Sequence, residues 1–184
     1  MPDPKTHAAK RNFIETILRY VPGFRGYLER EYRRESDELL RNWLADHLQR
    51  SKRSLEEAAR GLSDASALDL LPQLDRLRWR LDRLLGRIRG AMQGYSGFFD
   101  LVRIDVPLLD EIYQYDAALN EQVEALAAAI ARLPESLGRI SQVLGELLKQ
   151  LEDLEHRWDM REDLLRSLKQ AQPQTSLEQE KQSS

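Results

Sequence analysis

Residues 109–158 read LDEIYQYDAALNEQVEALAAAIARLPESLGRISQVLGELLKQLEDLEHRW, two apolar seams on either side of a single proline. Before Pro134, the positions Leu109, Ile112, Asp116, Leu119, Val123, Leu126, Ile130 and Leu133 alternate steps of three and four. After it, Leu137, Ile140, Leu144, Leu147, Leu151, Leu154 and Trp158 do the same. Such a seam lays one apolar stripe along each helix, and the stripe must be buried against other helices. The phase runs through Pro134, which would suit one kinked helix. An unbroken helix of roughly 65 residues would leave much of its seam without a partner, so the spacing predicts a turn at Pro134.

Upstream, the same rhythm returns in Leu74, Leu77, Leu81, Leu84, Ile88, Ala91 and Tyr95. A further helix is predicted from Gly26 to Leu62, with a break near residue 53 because Ser54 and Glu57 match a capping box. Residues 6–20 read as a short amphipathic helix with Phe13, Ile14, Ile17 and Leu18 on one face, ended by Pro22-Gly23. The segments 26–62, 67–93, 106–132 and 135–169 have comparable lengths. Together they predict an all-α fold, a long antiparallel four-helix, coiled-coil-like bundle with a short N-terminal amphipathic helix. Residues 1–21 form the N-terminal segment, 22–169 the bundle, and 170–184 (QPQTSLEQEKQSS and the two residues before it) a disordered tail, since they lack apolar content.

Composition narrows the function class. Of the 184 residues, 41% are hydrophobic and 32% charged, and there is no cysteine, so disulfides, thiolate catalysis and cysteine-ligated zinc are excluded. No run approaches the roughly 18 apolar residues of a membrane span, and MPDPKTHAAKRNF lacks a signal-peptide core, so a cytoplasmic location is expected. Residues 1–99 carry 19 Lys/Arg against 14 Asp/Glu, while residues 100–184 carry 9 against 17. Two halves of opposite sign are expected to attract each other within one fold; the sharper alternative is head-to-tail self-assembly or a basic face for anionic partners.

An up-and-down topology would gather ten of the thirteen aromatics at one pole: Phe13, Tyr20, Phe24, Tyr27 and Tyr32 with Tyr95, Phe98, Phe99, Tyr113 and Tyr115. These form either an aromatic mini-core or a docking surface, whose candidate partner-binding residues are Phe24, Tyr27, Tyr95, Phe98 and Phe99. Gly86, Gly90 and Gly94 recur along one helix face, and Gly138, Ser141 and Gly145 form a similar small face, so close backbone approach is expected there, by the first helix in the former case. Arg30, Arg33 and Arg34 are expected beside Glu152, Glu155, Asp159 and Glu162. Arg76, Arg80, Arg83 and Arg87 read as a solvated flank with cross-helix partners.

Catalytic and metal motifs are not legible. The three histidines are His7, His47 and His156. Asp153-Leu-Glu-His156 resembles only half of a di-iron bundle pattern, and no phosphate loop, nucleophile elbow or HExxH occurs. His47 and Asp116, polar on apolar faces, are expected to fix helix register. The stretch PGFRGYLEREYRRESDELLR (22–41), followed by GYSGFFD (94–100), resembles uncharacterised prokaryotic all-helical proteins of unknown function. That resemblance implies no activity and no functional residues. The expected function is a non-catalytic scaffold, adaptor or assembly subunit with protein partners or itself as a homo-oligomer, without cofactor, metal or nucleic acid. The alternative is peripheral membrane association through the N-terminal helix, where Lys10, Arg11 and Arg19 border the apolar face.

Overall fold

A computed structural model describes residues 13–27, 30–91 and 106–170, and every regular element among them is helical. Helix α1 covers 13–20, α2 Arg30–Asp64, α3 Leu71–Gly90, α4 Val106–Ala131 and α5 Ile140–Gln170. Short 3-10 turns at Leu68–Leu70 and Leu133–Arg139 connect α2 to α3 and α4 to α5. Residues 6–12, Gly94, Tyr95, Phe98, Phe99 and the tail 171–184 lie outside the described residues.

The seams account for the packing. Asp37, Arg41, Leu44, Leu48, Ser51, Leu55, Ala58 and Leu62 of α2 alternate in steps of four and three, and all are buried. Ile112 to Ile130 on α4 and Ile140 to Leu165 on α5 keep the same phase, and Leu74, Leu77, Leu81, Leu84 and Ile88 complete it on α3. α2 packs on α3 and α4, and α5 packs on both of these, giving a helical bundle with the spatial order α2–α3–α5–α4. Ion pairs Lys52–Asp82 and Glu56–Arg78 set α3 running opposite to α2. Arg157–Gln122 and Arg161–Asp116 set α5 opposite to α4.

The chain reverses at Pro134. α4 stops at Ala131, Ser136 has a non-helical backbone (φ −103°, ψ 16°), and its Oγ donates to the Arg132 carbonyl at 3.0 Å. At the C-terminal end of α2, Ser66 takes the left-handed conformation at φ 57° while the Ala67 amide reaches back to Leu62 O at 2.9 Å, the six-to-one bond of a Schellman cap.

Several expectations are corrected here. α2 is continuous through residue 54, because its buried seam outweighs the local capping signal. α1 meets α2 through Tyr20 and Trp43, whose ring centroids are 5.4 Å apart, and does not fill the face at Gly86 and Gly90. Gly86, Gly90, Gly138 and Gly145 each face open space, with nothing within 4 Å of a would-be Cβ. Leu18 is 47% exposed, since Ile17 supplies the buried contact of α1 instead. Finally, the acids of α5 lie along the arginines of α3. Arg80 pairs with Glu152 and Glu155, Arg83 with Glu155, and Arg87 with Asp159 and Glu162. The reason is spacing: α3 and α5 run side by side in the same direction, so arginines and acids three to four apart fall into step.

Candidate functional site

Polar residues on three seams converge in one layer of the bundle. Arg161 of α5 and Asp116 of α4 are both 0% exposed. Arg161 Nε donates to Asp116 Oδ1 at 2.5 Å, and its Nη2 donates to Asp37 Oδ1 on α2 at 2.7 Å. Asp37 Oδ2 accepts from Arg41 Nε one turn along α2, also at 2.7 Å. Two buried cations thus face two buried carboxylates, and the charges cancel. Trp158 lies against the Arg161 guanidinium, 5.5 Å from ring centroid to Cζ.

The segment between α1 and α2 closes this layer. Gly23 and Gly26 have φ of +84° and +86°, conformations that L side chains rarely adopt, and a Cβ at Gly26 would come within 2.6 Å of Tyr113 Oη. That path carries Tyr27 inward. Its hydroxyl donates to Asp116 Oδ2 at 2.6 Å and its amide donates to Tyr113 Oη at 2.5 Å, while Arg33 Nε donates to its carbonyl at 2.7 Å. One chain of hydrogen bonds therefore runs from the segment through α4 and α5 to α2.

Burial governs how these groups titrate. Burial first, then the Asp116 charge, pushes the Tyr27 hydroxyl well above its ordinary value. Burial raises Asp116 too, against the pull of Arg161. For Arg161, burial opposes its charge but Asp116 and Asp37 outweigh it, so the guanidinium is held charged well above its ordinary range. The layer is incompletely paired: Arg41 Nη1, Arg161 Nη1, Trp158 Nε1 and both polar atoms of the Asn120 amide are buried with no protein partner. Its buried charges brace the helices electrostatically.

Phe24 and Tyr27, expected at a docking surface, are 3% and 0% exposed. Tyr27 stacks on Tyr113 at 5.2 Å and Phe24 meets both rings edge-on at 5.3 and 6.4 Å, forming an aromatic mini-core that seats the segment. The correction follows from the polar layer, which needs the Tyr27 hydroxyl inside. Tyr95, Phe98 and Phe99 lie outside the described residues. Asp116 takes the register-fixing place expected of it. His47 lies flat on Trp43 at 3.9 Å and faces Glu124 of α4 at 3.6 Å. Among the described residues, no group of three His, Asp or Glu is arranged to hold a metal ion. Asp37, Arg41 and Arg161 were not singled out from the sequence.

The surface differs in character. Of the three tryptophans, Trp158 is buried and Trp43 half-buried, whereas Trp79 on α3 is 62% exposed. Arg83 stacks over its ring, 5.0 Å from Cζ to centroid, while also donating to Glu155 at 3.0 Å. On the far side of the bundle, α4 and α5 leave a groove of about 370 Å³ lined by Tyr115, Gln122, Asp153, His156, Arg157 and Met160. No described helix is long and apolar enough to cross a membrane. No family model matches the chain, and neither a curated protein nor a solved structure matches it.

Proposed function

We propose that this protein is a cytoplasmic, non-catalytic scaffold, adaptor or assembly subunit, built as a four-helix bundle whose successive helices run antiparallel, and that it works by protein–protein contacts. The observation that carries this reading is the division of labour among its side chains. The ionisable side chains of Tyr27, Asp116 and Arg161 are wholly buried and spent on each other. Among the described residues, the large aromatic left in solvent is Trp79, on a rigid helix, with an arginine stacked on it. Exposed Trp and Arg are the residue types that most often anchor protein partners.

Membrane association remains the second reading, and the described part of α1 weighs against it. Ile17 is buried, and Phe13 and Ile14 pack on the core, so the apolar face would have to leave the bundle to enter a lipid surface. The test is affinity capture with full-length protein and with Trp79→Ser, followed by reconstitution of recovered proteins from purified components. A partner that binds saturably to the wild type and at least about tenfold more weakly to Trp79→Ser supports the proposal. If no purified protein, this chain included, binds saturably, the scaffold reading is wrong.

A further inference from the structure

The two surface features described above are complementary, and this inference rests on the scaffold reading. We propose that Trp79 of one copy inserts into the α4/α5 groove of a second copy, so that the chain assembles head to tail. Trp79 stands at the centre of the outward strip of α3, in line with Gly86 and Gly90, which leave a trough with nothing within 4 Å of a would-be Cβ. Arg76 and Arg83 border the strip on one flank. The strip is therefore a single apolar knob with cations beside it and space for a neighbouring helix to lie close.

The groove answers both properties. At about 370 Å³ it lies at the lower end of ligand-pocket sizes, roughly 300–1,000 Å³, which suits one bicyclic ring. Met160 is 43% exposed within it, and a thioether beside an indole is a favourable contact. Asp153 lines the groove, and Glu152 and Asp163 lie exposed beside it on α5. Three acids, Asp153, Glu152 and Asp163, thus stand by the groove for the cationic flank of α3, against one lining arginine, Arg157, that is held by Gln122 at 3.0 Å. An antiparallel α3-to-α3 contact would instead set arginines against arginines. An anionic lipid surface would meet Asp75 and Asp82, which stand on the other flank of Trp79.

Place in the fold determines the type of assembly. α4 lies diagonally across the bundle from α3, so the knob and the groove face different ways. Two copies cannot satisfy both surfaces with each other, and a contact between unlike patches propagates along an open row or closes into a ring.

Sedimentation of the full chain over a wide concentration range tests this, with Trp79→Ser and Met160→Glu as variants at exposed positions. The wild type is expected to grow beyond a dimer with concentration. Each variant alone should associate about tenfold or more weakly. Mixed in equal amounts, the two should recover one intact knob and one intact groove, giving a heterodimer and nothing larger. A wild type that stays monomeric overturns the inference while leaving the adaptor reading to its own binding test. So does a mixture that associates no better than its components, or Trp79-dependent binding to anionic vesicles by a monomeric protein.

Discussion

Arginine meets carboxylate in two regions of this bundle, with opposite consequences. Along α3 and α5, Arg80, Arg83 and Arg87 face Glu152, Glu155, Asp159 and Glu162 at the solvent boundary, where several partners are more than 40% exposed. In the inner layer, Arg161, Asp37 and Asp116 are at most 1% exposed. The outer ladder is wetted along one edge, where Glu152, Asp159 and Arg83 stay 47–70% exposed while Glu155 and Arg80 are 7% and 14% exposed, and it contributes through register. The inner layer has given up its water, so each member depends on the others being present. The chemistry is shared, and depth decides whether it is a guide or a brace.

The sharpest way to break this comparison is Arg161→Met. It leaves Asp37 with Arg41 alone and Asp116 with Tyr27 alone, so urea denaturation should show a loss of about 3–5 kcal/mol. The unpaired carboxylates are then neutralised by acid, and the variant should recover part of this loss as pH falls. A loss below about 1 kcal/mol would place the inner layer in the same class as the ladder.

Tyr27→Phe should cost about 1–3 kcal/mol, because Asp116 Oδ2 loses its donor inside the protein. It also has a signature in alkali. The folded-state value of Tyr27 lies above its ordinary 10.0, so its contribution is complete below that pH and is lost as pH rises toward the folded value. Wild-type stability should therefore fall more steeply above pH 10 than that of Tyr27→Phe, as denaturant melts at successive pH values would show.

Gly86→Ala acts in the opposite direction. With nothing near the added methyl, helix propensity should raise stability by up to about 1 kcal/mol in the monomer, read as a higher melting temperature. The smallest effect belongs to Arg83→Ala on the ladder, within about 0–1 kcal/mol and further reduced by salt. A loss for Arg83→Ala comparable to that for Arg161→Met would erase the distinction between the regions.

The helices and their apolar faces were legible because the heptad period is a local signal, carried by residues such as Leu144, Leu147 and Leu151. So was the role of the arginines on α3, whose spacing demanded partners across a neighbouring helix. Their identity was not, because sequence order does not say which helices become neighbours, and α5 settles beside α3. The inner layer carried a signal that went unused. Arg161 follows Trp158 by three and precedes Leu165 by four, so it holds a seam position on α5, as Asp116 does on α4 and Asp37 with Arg41 does on α2. Opposite charges interrupting apolar seams can be buried only together. The burial of Phe24 and Tyr27 had no such local sign, since it depends on Gly23 and Gly26 turning the segment inward toward a carboxylate some 89 residues away.

The bond between Arg161 and Asp37 joins residues 124 positions apart, and it needs α2, α4 and α5 already assembled. Such a contact closes late, after the leucine seams have zipped the nearer pairs. Interactions absent from the transition state leave the refolding rate alone and govern the rate of escape from the native state. The inner layer is then a latch in time: Arg161→Met should refold nearly as fast as the wild type and unfold many times faster.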